Sequence, residues 1–272
     1  MIYALDHLFR ARHHGGQRGR NIVRLERCAV GGIKTAMPRK EALDSVYAFM
    51  ANTYEGNWKF RFADTPYMKV ARESGKRESI NEHAWACMEF WFQLRRLCPA
   101  LNRLVDPLAV YEMLLNHDLG EIRYADTPLY RVVKGLQADD KESERRGLEE
   151  LSASLPPHSR QDLLESFDAF EADLAGIDIL VTLVGKWINC MQGNHFAMVF
   201  GEDFLQNADS IRKILQLRFI PITRRLMEAL RAQGETEALA EVKGVAGDHL
   251  DRIRSLGIAI DADTLAIRDT IS

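Results

Sequence analysis

The sequence predicts an all-α fold, because helix start signals recur and strand patterns are missing. No segment alternates apolar and polar residues over the length of a strand, and no internal repeat is present. Ser79 is followed by Glu82 three residues later, which is the pattern of a capping box. Asp106 stands before Pro107, a capping residue followed by proline at the first helical position. Long apolar segments follow both signals, as expected for helices buried in a core.

The predicted helices run along the chain from the first proline onward. Pro38 is suited to the first turn of a helix, and Pro156-Pro157 separates two helices near the middle. The helix that starts after Ser79 is apolar on nearly all faces, which places it at the centre of the core. After Gly201 the pattern stays helical, broken by glycines. The predicted helices cover residues 38–53, 80–98, 108–122, 139–154, 159–174 and 177–200.

Composition and cysteine spacing limit the classes of protein to consider. The 272 residues are 46% hydrophobic and 28% charged, and the net charge of −3 favours no particular partner. The four cysteines show no CxxC spacing, which argues against a zinc knuckle or a redox motif, and Cys87, Cys98 and Cys190 are interpreted as core residues. The longest apolar run contains Asp178 and Lys186 and is too short to span a membrane. With no secretory signal visible, we expect a cytoplasmic protein without membrane contact.

The N-terminal segment is strongly basic. Residues 1–40 contain nine Lys and Arg against two Asp and Glu, whereas the rest of the chain is acidic. Two interpretations stay open: a mobile or loosely docked arm, or an electrostatic contact with a phosphate-bearing ligand, nucleic acid or a partner subunit. No aromatic residues are interleaved with the basic ones to stack on bases, so the pattern argues against nucleic acid.

Four polar residues stand in the most apolar predicted helices. His83 lies in the central helix, His117 and Asp118 are adjacent in the next one, and Asp178 opens the run 177–188. Each has an ordinary explanation, since a lone core histidine is usually hydrogen-bonded and an Asp at a helix start is often a cap. Burial of an unpaired carboxylate costs several kcal/mol or more, however, so three buried helices that each offer His or Asp indicate a metal.

These residues carry a family resemblance. Glu82-His83, then the segment from Asn116 to Glu121 (NHDLGE), then a helical Asp178, resemble the HD superfamily of metal-dependent phosphohydrolases. The resemblance covers about residues 58–200. It implies a helical bundle whose core holds one divalent metal on His83, His117, Asp118 and Asp178.

Within the superfamily the sequence is most similar to the 5′-deoxynucleotidases. That group has a Glu three residues after the metal-binding Asp and a second Asp five residues further on, which Glu121 and Asp126 match here. The resemblance assigns Asp126 to the positioning of water, leaving oxygen or sugar, and a turn-forming Asp before Thr127-Pro128 is the alternative. Gly193-Asn194 also resembles this group.

The residue types suit metal-assisted hydrolysis. Mixed nitrogen and oxygen ligands favour Mn, Fe, Co, Ni or Zn over Mg, and such a metal lowers the pKa of bound water from 15.7 towards ~7. If the helix continues past Asp118, Glu121 faces the same side as His117 and can orient or deprotonate the water.

The phosphate-binding residues are less clear in the sequence. The deoxynucleotidases have an Arg-Trp pair before the first histidine. Here Arg61-Phe62 is the nearest candidate, at a longer spacing and without Trp, and Lys69, Arg72 and Arg77 are rivals.

The combined prediction is an HD-domain helical bundle with an N-terminal arm and C-terminal helices. The expected boundaries are a basic arm at 1–38, an HD phosphohydrolase domain at 39–210 and a C-terminal helical extension at 211–272. The extension could pack on the same domain or form the seam of a homodimer. The predicted function is hydrolysis of (deoxy)nucleoside 5′-monophosphates, a small-molecule substrate. The alternatives are hydrolysis of nucleoside triphosphates or other phosphate esters and anhydrides, and a non-catalytic nucleotide-binding HD module.

Overall fold

In the computed structural model, every regular element of the described residues is a helix or helical turn. The structure describes residues 37–61, 73, 75, 77–124, 131–132, 134–138, 140–171, 179–200 and 208–258. The basic arm at 1–36 therefore lies outside the described residues. The only extended pairing in these ranges is an isolated bridge between Phe60 and Ser79. The all-α fold class predicted from the sequence is confirmed.

The first helices follow the start signals of the sequence. Helix α1 spans Arg39–Thr53 and continues into a 3₁₀ turn, Tyr54–Trp58. Helix α2 spans Ile80–Leu97, and the Ser79–Glu82 capping box closes as predicted, with both reciprocal hydrogen bonds present. Helix α3, Pro99–Leu104, is a short element that the sequence did not predict.

Helix α4 is the first departure from the predicted boundaries. It spans Pro107–Asn116 with Asp106 as its N-cap and His117 as its C-cap, so it is shorter than the predicted helix, which ran to residue 122. Asp118 has φ −107° and ψ 7°, outside the α-helical region, and the chain continues as a 3₁₀ turn over Leu119–Ile122. Because the helix stops before the His-Asp pair, Glu121 does not stand on a continuing α-helix with it.

The remaining helices build the bundle around α2 and α4. They are α5 (Lys141–Leu151), α6 (Pro157–Glu171), α7 (Ile179–Phe200), α8 (Ala208–Ile214), α9 (Ile220–Ala232) and α10 (Thr236–Ser255). A π-helical turn, Leu215–Phe219, joins α8 to α9. Pro221 lies two residues after the end of this turn, and a proline cannot donate the backbone hydrogen bond of a regular helix, which accounts for the wider turn.

The packing divides into a large and a small hydrophobic cluster. Helices α2, α4 and α7 contact one another in the large cluster. Helix α9 packs against α7, and α10 packs against α3. The small cluster joins Ile80, the 3₁₀ turn at Leu119–Ile122, α5 and α6. His83 stands between Ile80 of the small cluster and Cys87 of the large one, so the polar residues of interest lie where the two clusters meet.

No helix in the described part of the chain combines the length and apolar character needed to cross a membrane.

Candidate metal centre

Three donor side chains reach one buried point from two helices. His83 is one turn into α2, after the capping box, and its side chain is fully buried. His117 caps the end of α4, and Asp118 follows where the backbone leaves the helix. Both are buried as well. The early end of α4 therefore brings two consecutive side chains to the same place as His83.

The distances define a tight cluster of ligand atoms. Nε2 of His83 lies 3.2 Å from Nε2 of His117. Oδ1 of Asp118 lies 3.2 Å from Nε2 of His117, and Oδ2 lies 3.5 Å from Nε2 of His83. The structure thus brings together three of the four metal ligands predicted from the sequence.

The protons of both histidines are on the nitrogens that point away from this cluster. Nδ1 of His117 lies 2.9 Å from the Leu114 carbonyl, which can only accept, so Nδ1 donates. Nδ1 of His83 donates to Oε1 of Gln192 at 2.7 Å, because the Gln192 amide nitrogen donates to Glu78. In a neutral imidazole the other nitrogen then carries a lone pair. Both Nε2 lone pairs consequently face each other and the Asp118 carboxylate.

The ionisation of the cluster favours a bound cation. Burial lowers the pKa of both histidines, and that of His83 falls well below its usual range. For Asp118, burial works towards a higher pKa, but His117, Arg61 and His83 outweigh it and hold the pKa well below the usual range. At neutral pH the cluster therefore presents two neutral imidazoles and one carboxylate, the protonation states in which these groups bind metals.

A divalent metal fits this donor set. Oδ2 of Asp118 is buried and accepts no hydrogen bond from the described residues. A buried carboxylate oxygen without a donor costs free energy that a cation would recover. The nitrogen and oxygen donors match the preference of first-row transition metals. A divalent metal is therefore implied by the chemistry of the residues, and its identity stays open among Mn, Fe, Co, Ni and Zn.

Cys87 extends the donor set beyond the prediction. It was interpreted as a core residue, and it is fully buried, but its Sγ lies 3.6 Å from Nε2 of His83. The potential ligand atoms of His83, Cys87 and His117 all lie within 4.8 Å of one another. Burial raises the pKa of the Cys87 thiol well above its usual range, so without a metal the thiol is neutral.

Helix α7 contributes two amides that the sequence analysis missed. Oδ1 of Asn189 lies 3.1 Å from Nε2 of His83, and Gln192, one turn later, binds the other nitrogen of the ring. The available signal was a pair of amides three residues apart in an apolar helix, which is the spacing of one helix face. Asp178, the fourth ligand implied by the resemblance, lies outside the described residues, and so does Asp126.

The predicted phosphate contacts occupy different surroundings. Nη1 of Arg61 lies 3.3 Å from Glu78, and its Nε lies 3.6 Å from Oδ2 of Asp118, so Arg61 is at the candidate site between two carboxylates. Arg77 is exposed and lies over the Phe60 ring, with its guanidinium carbon 5.2 Å from the ring centroid. Lys69 lies outside the described residues.

The 3₁₀ turn after Asp118 holds Glu121 in a fixed, buried position. The Glu121 amide donates to the Asp118 carbonyl at 3.1 Å, and the side chain is 5% exposed. The turn packs backbone to backbone on α5: a Cβ on Gly120 would lie 2.0 Å from the Glu144 carbonyl oxygen. Only glycine permits this approach, which explains the Gly before Glu121.

Helix α5 also adds a charged pair near the site. Lys141 binds Glu144 at 2.7 Å, and burial raises the pKa of Glu144 to about 7 against the opposing effect of Lys141. The positive charge of Lys141 is one of the influences that lower the pKa of Asp118. Neither residue stands out in the sequence, because α5 is polar and has the composition of a surface helix.

Comparison with known proteins agrees with the family resemblance. Residues 69–179 match the HD domain family. No curated protein matches the chain in sequence. A similar solved structure is the crystal structure of a predicted metal-dependent phosphohydrolase from Magnetospirillum magnetotacticum MS-1, at 18% identity, with 81% of this chain and 100% of that chain covered and a TM-score of 0.55. At this identity the likeness shows a shared fold. The matched residues, 69–179, make up less than half of the chain and include His83, His117 and Asp118.

Proposed function

We propose that this protein is a metal-dependent phosphomonoesterase that hydrolyses (deoxy)nucleoside 5′-monophosphates to nucleoside and phosphate. The observation that carries the proposal is the convergence of two Nε2 lone pairs and the Asp118 carboxylate within 3.5 Å of each other. The match to the HD domain family and the similarity to a predicted metal-dependent phosphohydrolase favour this chemistry. The nucleotide substrate rests on the resemblance of Glu121 and Asp126 to the deoxynucleotidase pattern.

His83, His117 and Asp118 would hold the metal, with Asp178 as the fourth ligand implied by the resemblance. A bound divalent cation would acidify a coordinated water and neutralise charge on the phosphoryl oxygens. His83 and His117 would be neutral ligands, so only the carboxylates of Asp118 and, by resemblance, Asp178 would offset the charge of the ion. The buried setting strengthens this attraction because solvent does not screen it.

Glu121 is the proposed general base. It follows the ligand pair by three residues and is held in the 3₁₀ turn by the backbone contact at Gly120. In the hydrolysis, an oxygen–phosphorus bond forms from water while the bond from phosphorus to the ester oxygen breaks. The proton lost by water goes to Glu121, which passes it to solvent after the reaction, and the leaving oxygen takes one proton from solvent as the nucleoside departs. By resemblance, Asp126 would position the water, the leaving oxygen or the sugar.

Arg61 is the proposed phosphate contact, with Lys69 and Arg77 as weaker candidates. Its guanidinium already lies between Glu78 and Asp118, so an incoming phosphate dianion would find a cation held beside the metal ligands. Lys141 on α5 adds a second positive charge in this region.

The test is phosphate release by metal-depleted protein reconstituted with Mn, Co, Ni, Zn or Mg, using dAMP, AMP and dATP. The proposal expects metal-dependent orthophosphate from the monophosphates, lost in Asp118→Ala and retained in His158→Ala, which changes an exposed histidine paired with Asp162. Release of tripolyphosphate from dATP in place of orthophosphate would favour a triphosphohydrolase. Metal binding without turnover of any nucleotide would favour the non-catalytic binding module.

A further inference from the structure

A series of hydrogen bonds links Arg61, at the candidate metal site, to His83. Arg61 binds Glu78 through Nη1 at 3.3 Å, and Glu78 is 3% exposed. Oε1 of Glu78 accepts from the amide nitrogen of Gln192 at 2.7 Å. Oε1 of Gln192 accepts from Nδ1 of His83 at 2.7 Å. Arg61, Glu78 and Gln192 therefore fix the imidazole ring of His83.

The direction of each hydrogen bond in this series follows from the Arg61–Glu78 pair with which it begins. Arg61 donates to Oε2 of Glu78 at 3.3 Å and the Gln192 amide nitrogen donates to Oε1 at 2.7 Å, so both oxygens of Glu78 act as acceptors. A carboxylate can only accept, so Gln192 must turn its NH₂ group towards Glu78 and its oxygen towards His83. That oxygen in turn requires a proton on Nδ1 of His83, and leaves Nε2 free to bind a metal.

Without Gln192, the proton would move to the nitrogen that must bind the metal. Nε2 of His83 faces Oδ1 of Asn189 at 3.1 Å and Oδ2 of Asp118 at 3.5 Å, and both oxygens accept hydrogen bonds. In the metal-free protein, a proton on Nε2 would therefore be well satisfied, and it would occupy the position of the ion. The Gln192 hydrogen bond at 2.7 Å opposes this tautomer, with a weaker contribution from Oε2 of Glu78, which lies 3.7 Å from Nδ1.

We propose that Glu78 and Gln192 are positioning residues that hold His83 as a metal ligand, by relaying the charge of the Arg61–Glu78 pair to Nδ1. This inference deepens the proposed function, since it rests on the metal site, but it does not depend on the substrate. Loss of an outer hydrogen-bond partner of a metal-binding histidine typically weakens metal binding by about 10- to 100-fold.

The test uses Gln192→Leu, which removes the hydrogen bonds at similar volume. The matched control is Gln93→Leu, the same change at an exposed glutamine of α2 whose side chain contacts Glu89. Glu78→Gln is a second variant of unchanged shape, in case Gln192→Leu does not fold as judged by circular dichroism. Calorimetric titration with Mn²⁺ gives the affinity of each protein, and ¹⁵N–¹H correlation spectra of histidine-labelled, metal-free protein give the tautomer of His83.

We expect Nδ1-protonated His83 in the unmodified protein and in Gln93→Leu. In Gln192→Leu we expect Nε2-protonated His83 with Mn²⁺ affinity lowered about 10- to 100-fold, and in Glu78→Gln a smaller change of the same kind. Nδ1-protonated His83 and unchanged affinity in a folded Gln192→Leu or Glu78→Gln protein would overturn the relay. If the relay behaves as expected but no phosphate ester is hydrolysed, the proposed function fails and the relay stands.

Discussion

The two histidines of the site present the same atom to the same point, but different parts of the protein fix them. At the end of α4, the backbone of the same helix holds His117, through the Leu114 carbonyl. On α2, side chains from elsewhere hold His83, through Gln192 on α7 and Glu78 in the preceding loop. The first arrangement depends on where α4 ends. The second depends on packing between separate helices, so it can be changed by single substitutions that leave both helices intact.

The largest effect is expected where the backbone defines the site. Gly120→Ala would put a Cβ 2.0 Å from the Glu144 carbonyl oxygen, a clash with main chain that no rotamer relieves. We expect the free energy of unfolding to fall by about 3 kcal/mol or more, measured by urea denaturation. Gly244→Ala is the control, because no atom lies within 4 Å of its added Cβ, and it should stabilise α10 by up to about 1 kcal/mol. Equal effects of both substitutions would contradict the close packing of the turn on α5.

The next effect tests whether both histidines are ligands of equal importance. His117→Ala and His83→Ala should each weaken Mn²⁺ binding by more than about 100-fold, since a lost ligand should cost more than a lost outer partner. Calorimetric titration measures this, with His158→Ala as the exposed control. If one of the two variants binds Mn²⁺ as tightly as the control does, the corresponding histidine is not a ligand.

A third buried histidine lies outside the candidate metal centre and extends the comparison. His249 on α10 packs on Phe219, with ring centroids 4.9 Å apart, and its Nε2 lies 3.4 Å from the Asn194 amide nitrogen. Burial, aided by His195 and Arg252, lowers its pKa to about 4.

The unfolded chain binds a proton at this histidine near its usual pKa of 6.5, whereas the folded protein does not until pH about 4. Stability contributed by neutral His249 is therefore present above pH 6.5 and is lost as the pH falls through this window, by up to about 1.4 kcal/mol per pH unit. Chemical denaturation of His249→Gln between pH 7 and pH 4.5 should show a shallower loss than the unmodified protein. An identical pH dependence of stability in the two proteins would mean that His249 takes up its proton at the same pH in the folded and the unfolded state.

The smallest effect concerns how the C-terminal helices join the bundle. Glu241 on α10 accepts hydrogen bonds from the backbone amides of Ala100 and Leu101, at 3.0 and 2.9 Å, where α3 begins. Glu237, one turn earlier, forms an exposed ion pair with Arg103. We expect Glu241→Ala to destabilise the protein by about 1 kcal/mol, and Glu237→Ala by less than about 0.5 kcal/mol. Thermal denaturation of the two variants side by side measures the difference, and a larger effect of Glu237→Ala would contradict it.

The features predicted correctly from the sequence are those that local sequence signals encode. Ser79 and Glu82 form the predicted capping box, and Asp106 caps α4 before Pro107 as expected. His83, His117 and Asp118 could be selected because polar groups are costly inside apolar helices. Their convergence in the structure follows from the same physical reason, since burial requires partners.

The features that escaped prediction depend on tertiary contacts. Gln192 and Asn189 share one face of α7, but this spacing is common in helices, and only the packing of His83 against them gives the two amides a role. The end of α4 at Asn116 is accompanied by the packing of Gly120 on α5, a contact between distant segments that local sequence signals do not encode. Cys87 was assigned correctly as buried, but its contact with His83 needs the rotamers of the folded core.

The most direct test of the metal centre is a titration of the metal-free protein with Co²⁺, followed by visible absorption, for the unmodified chain and for Asp118→Asn. If His83, His117 and Asp118 form the site, one Co²⁺ per chain should bind with the ligand-field bands of mixed nitrogen and oxygen coordination, and Asp118→Asn should lose both the bands and the affinity. Absence of binding, or binding that Asp118→Asn leaves unchanged, would contradict the assignment of these three residues as the metal centre.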